Sequence, residues 1–240
     1  MPSISGVMPA YNEEANIGPM IEEMDRVLSS VSEDYEIIVV DDGSKDNTAK
    51  VVMEKAASFP KVRLIRHERN KGYGAAVYSG ITAATKELIF FTDSDRQFKL
   101  EELRKLLPLI EHADLVAGYR PRRMDPWYRV LFGWGWSFLV TVLFGYTVRD
   151  IDCAFKLFKR EVMEKVAPQI RSFGATFSAE FLIRAKRAGF KFKEVPVTHL
   201  PRPAGKQTGA RLDVIARAFK ELFILRWRLW KEALGRSEAR

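Results

Sequence analysis

Between Ile4 and Gly118 the chain repeats one pattern: a short apolar run, a polar break, then a longer amphipathic stretch. A strand that is apolar at nearly every position needs cover on both faces, and helices supply that cover. The pattern predicts repeated β-α units and an α/β fold built on a mostly parallel sheet. Strands are expected at Ile4–Met8, Tyr35–Val40, Val62–Arg66, Glu87–Thr92 and Asp114–Gly118. Helices are expected between them, at Glu13–Val31, Asp46–Ser58, Gly74–Thr85 and Leu100–His112. Open sheets of this kind bind ligands in the loops beyond the carboxyl ends of their strands.

Three of those loops carry polar residues suited to a ligand. Asp93-Ser94-Asp95-Arg-Gln97 follows the fourth strand, with two carboxylates spaced i, i+2 and a third oxygen donor two residues on. Oxygen ligands crowded at a strand end suit a hard divalent cation, Mg²⁺ or Mn²⁺, of the kind that neutralises a diphosphate. Pro9-Ala-Tyr11-Asn12-Glu13 follows the first strand; Tyr11 can lie against a base or ribose, and Glu13 can accept hydrogen bonds. Asp41-Asp42-Gly43-Ser44 follows the second, where a carboxylate can accept from a nucleobase or a ribose hydroxyl, or can simply make a turn. Asn70-Lys71-Gly72-Tyr73-Gly74 opens the third helix, where Gly72 permits close approach and the helix N-terminus favours anions. Neither a Walker loop nor Gly-x-Gly-x-x-Gly is present, which argues against a dinucleotide enzyme.

The bulk numbers narrow the class. At 240 residues and 47% hydrophobic, the chain can bury a real core and is not disordered. Its one cysteine, Cys153, excludes an intramolecular disulfide and a cysteine zinc site, and the three histidines lack ligand spacing. The N-terminus has neither a basic region nor a long apolar stretch and does not read as a signal peptide. A net charge of +8 points to an anionic substrate, an anionic membrane or nucleic acid, or to a solvated basic surface. The excess lies late, from Arg202 and Lys206 to Arg236, opposed there only by Asp213, Glu221 and Glu232.

Beyond the fifth strand the pattern changes. Val130–Val148 is 19 residues without a charge, rich in Trp and Phe and interrupted by three glycines. It reads as an interfacial helix pair, about 126–148, lying in a membrane surface; a buried core helix and a true span are the alternatives. Strands at Ala154–Phe158 and Lys191–Val197 and a helix at Phe177–Ala188 follow. Asp213–Leu234 reads as a basic amphipathic helix suited to an anionic membrane, or as a helix capping the domain. A boundary near 205 divides the α/β domain, 1–205, from this 206–240 tail.

Taken together, Pro-Ala-Tyr-Asn-Glu-Glu, Val-Val-Asp-Asp-Gly-Ser, Asn-Lys-Gly-x-Gly-Ala-Ala and Asp-x-Asp resemble the family 2 glycosyltransferases of GT-A (Rossmann-like) fold. The resemblance covers about residues 3–205 and is nearest to the dolichol-phosphate mannose synthase-like, polyprenyl-phosphate branch. It implies a metal-dependent, inverting transfer of mannose or glucose from a GDP- or UDP-hexose to a polyprenyl (dolichyl) phosphate. Pro9, Tyr11, Glu13 and Asp41 would hold the nucleotide, with Asp42, Gly72, Asp93 and Ser94 at the same donor site. Asp93, Asp95 and Gln97 would hold the metal. Arg120 would contact phosphate, and Arg202, Lys206 and Gln207 lie where the family places a mobile basic loop. Asp150-Ile-Asp152-Cys153-Ala154-Phe parallels the family's Asp-x-x-Ser-Gly-Phe, with Cys153 and Ala154 replacing the small pair, and Asp152 would be the base if the acceptor were a hydroxyl. No nucleic-acid partner is implied. The chain is expected to sit peripherally on the cytoplasmic face of a membrane, and deleting 213–240 is expected to release it while leaving nucleotide binding intact.

Overall fold

The computed structural model describes residues 1–205 and 212–238. The α/β expectation holds. Seven strands form one sheet in the order β3-β2-β1-β4-β6-β5-β7. They are β1 (Ile4–Ala10), β2 (Tyr35–Asp41), β3 (Val62–Arg66), β4 (Leu88–Thr92), β5 (Leu115–Tyr119), β6 (Phe155–Lys159) and β7 (Phe192–Pro196). All run parallel except β6, which lies antiparallel between β4 and β5. Helices α1 (Glu14–Ser29), α2 (Thr48–Ser58), α3 (Tyr73–Thr82), α4 (Leu103–Ile110), α6 (Arg160–Val166) and α7 (Phe177–Arg187) flank the sheet, and α5 (Trp127–Phe144) and α8 (Leu212–Glu238) lie to one side. Every residue of β1 and β4 is buried, which is why those runs carry no polar alternation.

The reversed direction of β6 decides what reaches the binding edge. Ala10 pairs with Asp41, and Thr92 pairs with Phe155. The carboxyl ends of β1, β2 and β4 therefore share an edge with the amino end of β6. That brings Asp150 and Asp152, which precede β6, to the same side as Asp41 and Asp93. After β7 the chain turns back across this edge: Phe98 bridges His199, and the Leu200 amide donates to the Gln97 carbonyl at 2.8 Å.

Two expectations change here. The apolar stretch forms one helix, α5, rather than a helix pair, and it stops at Gly145 in the left-handed region (φ +83°). No helix among the described residues is long and apolar enough to cross a membrane. The second change concerns the deletion expectation, because α8 follows its capping alternative and is packed into the body. Leu222, Leu225 and Leu229 are buried in the core, the Thr176 hydroxyl pairs with Glu221, and Arg184 donates to both oxygens of Glu232 at 3.1 and 3.0 Å. Deleting it would expose core, so deletion does not test a membrane anchor.

The opposite side of the α5–α8 pair is apolar and open. Trp127, Leu131, Trp134, Phe138 and Val142 recur at helical spacing on α5, with Trp134 72% exposed. Phe219, Phe223, Trp227, Trp230 and Leu234 do the same on α8, and the rings of Trp136 and Phe219 join the two helices at 5.9 Å.

Candidate active site

Asp41 ends β2 with no exposed surface, and its Oδ1 accepts the Ser44 amide at 3.0 Å. Its Oδ2 has no hydrogen bond; the nearest cation, Arg66 Nε, stands 3.4 Å away in an ion pair. A buried carboxylate oxygen without a donor is costly, so Arg66 is its compensating charge and the oxygen can still accept a hydrogen bond. Around it Asn12 and Ser44 tie the first two loops together: the Asn12 amide donates to Ser44 Oγ at 2.9 Å, and the Lys45 amide to Asn12 Oδ1 at 2.8 Å.

Asp42, one residue on, has a different task. Its carboxylate accepts the amides of Lys71 and Gly72, both at 2.9 Å, and faces His67 Nδ1 at 2.7 Å. The expected donor-site role for Asp42 gives way to an internal one: it shapes the Asn70–Gly72 loop. The Gly72 amide is thereby spent within the protein instead of facing an anion. Ser94 is likewise structural, buried and donating through Oγ to the Pro9 carbonyl at 2.8 Å, which locks the end of β1 to the end of β4.

Asp93 and Asp95 follow β4 as expected. Tyr73 donates its hydroxyl to Asp93 Oδ1 at 3.0 Å. Asp95 Oδ1 accepts the Gln97 amide at 3.2 Å, and its Oδ2 stands 3.3 Å from Arg202 Nη1. Burial first, and then the neighbouring Asp95 charge, pushes the Asp93 carboxyl up to about 7. Asp95 is also raised by burial, although Arg202 opposes the shift. Two carboxylates that resist ionisation side by side are only partly offset by the Arg202 charge. Their oxygens fit a hard divalent cation, yet no set of three or more His, Cys, Asp or Glu among the described residues is placed to hold a metal. The remaining oxygens would come from water and from a bound diphosphate.

Gln97 differs from its expected place as a metal ligand. Its side chain is buried, and Nε2 donates to the Leu200 carbonyl at 3.1 Å, so it fastens the returning 197–200 segment. Arg120 is also committed: its guanidinium grips Asp150 with two bonds of 2.7 and 2.8 Å. Burial works against both charges, but each outweighs it for the other, raising Arg120 and lowering Asp150. Arg120 is thus not a free cation awaiting phosphate. Arg202 pairs with Glu13 as well as Asp95, and its Nε donates to the Ala204 carbonyl at 2.7 Å. Lys206 and Gln207 lie outside the described residues.

Asp152 is open to the cleft but lies deep among protein atoms. Burial, then Asp150, raises its carboxyl. Beneath it Lys156 of β6 is buried and donates to the carbonyls of Ile151 and Cys153. Burial lowers the Lys156 ammonium, and its charge faces Asp150 and Asp152. Sequence reading missed Lys156, because it sits mid-strand in Phe-Lys-Leu-Phe-Lys with no motif, and missed Tyr73 as the variable position of its motif.

A mostly parallel sheet whose binding edge gathers carboxylates on three adjacent strand ends, with an antiparallel strand inserted beside them, defines the GT-A class of nucleotide-sugar transferase folds. Within that class the chain belongs to glycosyl transferase family 2, whose sequence profile matches residues 5–167. It is 35% identical over 209 residues to a dolichyl-phosphate beta-glucosyltransferase of Trichomonas vaginalis, covering 80% of this chain and 62% of that one. To the human dolichyl-phosphate beta-glucosyltransferase it is 30% identical over 217 residues, covering 82% and 65%. It therefore spans less than two thirds of either relative. Glucosyl-3-phosphoglycerate synthase of Mycobacterium tuberculosis, solved with Mn²⁺ and UDP-glucose, shares the fold with a TM-score of 0.66 at 21% identity, covering 98% and 79%.

Proposed function

We propose that the protein is an inverting hexosyltransferase that moves glucose, or mannose, from a nucleotide diphosphate sugar to a polyprenyl phosphate at a membrane surface. The observation that carries this reading is the Asp93–Asp95 pair at the sheet edge, both raised by burial and met in an ion pair by Arg202 alone among the described residues, beside an Asp41 oxygen that has no hydrogen bond. The two relatives named dolichyl-phosphate beta-glucosyltransferases favour glucose.

Asp41 Oδ2 accepts a donor N–H or O–H from the nucleoside, and Tyr11 lies alongside. Asp93 and Asp95 would hold Mg²⁺ or Mn²⁺, whose charge would offset that of the leaving diphosphate. The acceptor phosphate is already an anion at neutral pH and attacks the anomeric carbon without a protein base. What it needs is screening from the carboxylates, and Arg202 supplies it once released from Glu13 and Asp95. The exposed aromatic face of α5 and α8, with Arg217, Lys220, Arg226 and Lys231 exposed beside it, docks on the cytoplasmic surface of an anionic membrane. A second reading, a hydroxyl acceptor, is favoured by Asp152, whose raised carboxyl in the open cleft suits a general base.

The test mixes purified protein, Mn²⁺ and a polyprenyl phosphate in detergent with labelled UDP-glucose, GDP-mannose or UDP-N-acetylglucosamine, and counts label extracted into organic solvent. Lipid-soluble label from one hexose donor, lost in Asp95→Ala, supports the reaction and names the sugar. Nucleotide binding without lipid-soluble label from any donor turns the reading to a hydroxyl acceptor.

A further inference from the structure

Tyr73 has no part in the reaction as described, yet the fold goes to some length to aim it. It is the first residue of α3, and its hydroxyl donates to Asp93 Oδ1 at 3.0 Å while the side chain stays 40% exposed. On its N-terminal side Asp42 holds the amides of Lys71 and Gly72, with His67 behind it. Gly72 adopts φ +100°, which a side chain would strain. On its C-terminal side Gly74 packs so tightly on the 173–174 backbone that a Cβ would meet the Gly174 carbonyl oxygen at 2.6 Å. The Ala75 amide also donates to the Phe173 carbonyl at 3.0 Å. Tyr73 is thus clamped through its backbone from both sides, and its hydroxyl is aimed at Asp93. A helix that needed only a surface tyrosine would not require two clamped glycines around it.

We infer that Tyr73 is a positioning residue: its hydroxyl holds Asp93 Oδ1, so that Asp93 offers its other oxygen to the cation shared with Asp95. The inference rests on the reading that Asp93 and Asp95 hold that cation. Carboxylates that ligate metals are commonly oriented by a hydrogen bond of this kind, and losing it weakens the metal by about tenfold or more. The same arrangement gives Asp42 a purpose, since it builds the loop that delivers Tyr73.

The experiment is Mn²⁺ titration of the full chain with UDP present, followed by electron paramagnetic resonance, comparing parent, Tyr73→Phe and Tyr73→Leu. UDP binding without metal and the melting temperature are measured alongside. Tyr73→Phe removes only the hydroxyl oxygen that bonds Asp93 and keeps the ring. The expected result is Mn²⁺ binding about tenfold weaker in both variants, with metal-free UDP affinity and melting temperature unchanged. Equal Mn²⁺ affinity in parent and Tyr73→Phe overturns the inference alone. A parallel fall in UDP affinity and melting temperature also overturns it, because the tyrosine would then be structural. A parent that binds no Mn²⁺ with UDP overturns the metal reading and this inference with it.

Discussion

Arg202 lies across the cleft from Asp95, its Nη1 3.3 Å from Asp95 Oδ2, and its Nη2 is paired with Glu13 on the far side. One guanidinium thus fills the place of a counter-cation in a site rich in carboxylates. Asp95 cannot serve Arg202 and a divalent cation fully at once, because both seek the same oxygens. Arg202→Gln is therefore expected to bind Mn²⁺ about fivefold more tightly in the absence of donor, a difference of about 1 kcal/mol. The same variant should transfer sugar more slowly, since the incoming phosphate loses its screen. Equal Mn²⁺ affinity in variant and parent would sink this account.

The Asp93 carboxyl gives a pH signature whose sign is definite. Its value in the fold is about 7 against an ordinary 3.8, so the native state keeps a proton that the unfolded chain has lost between those values. Its contribution to stability therefore falls as pH rises from about 4 to about 7. His199 acts oppositely. Burial, then Arg120, pushes it down to about 4, so stability falls as pH drops from about 6.5 to about 4. A simple melting profile would mix the two slopes, and a difference separates them. Without divalent cation, Asp93→Asn should be more stable than the parent above pH 7 by on the order of 2 kcal/mol, with the gap closing toward pH 4. A gap that does not change between pH 5 and pH 8 would mean that Asp93 ionises normally.

The aromatic face is testable without deleting α8. Trp134→Glu with Phe138→Glu on α5, or Phe223→Glu with Trp227→Glu on α8, changes only exposed positions. Each pair should reduce sedimentation with phosphatidylglycerol-containing vesicles by about tenfold or more, because apolar insertion and attraction to anionic lipid are both lost. UDP binding should be unchanged. Undiminished sedimentation in both double variants would remove the membrane from the proposal.

Glu180 and Arg184 carry the junction between α7 and α8. Glu180 has no exposed surface; one oxygen takes Arg184 Nε at 2.7 Å and the other takes the Arg171 and Ser172 amides. Arg184→Met strands a buried carboxylate and frees Glu232 from its latch, at a cost of about 3 kcal/mol. For a chain of this size that lowers the melting temperature by roughly 6–12 °C. A shift below about 2 °C by calorimetry would show that the latch contributes little.

Much of the architecture was readable before any coordinates, because strands buried on two faces must be apolar throughout. Tyr35–Asp41 and Leu88–Thr92 announce themselves in that way, and the polar residues that stop them mark the binding edge. The same logic put Asp41, Asp93 and Asp95 at strand ends, where they stand in the fold. Other features were set by contacts far apart in the chain. A strand's direction leaves no trace in its composition, so nothing in Phe155–Lys159 says that β6 runs backwards and carries Asp150, Asp152 and Lys156 to the site. Nor does a lone arginine reveal its partner. Arg120 meets Asp150 across 30 positions and Arg202 meets Glu13 across 189, and neither separation has a local signal. Local patterning determined the strands, most helices and the identity of the acidic edge, because it records burial. Only the tertiary structure decided which of those charges are already satisfied and which still await a ligand, because pairing depends on where the folded chain brings its distant parts together.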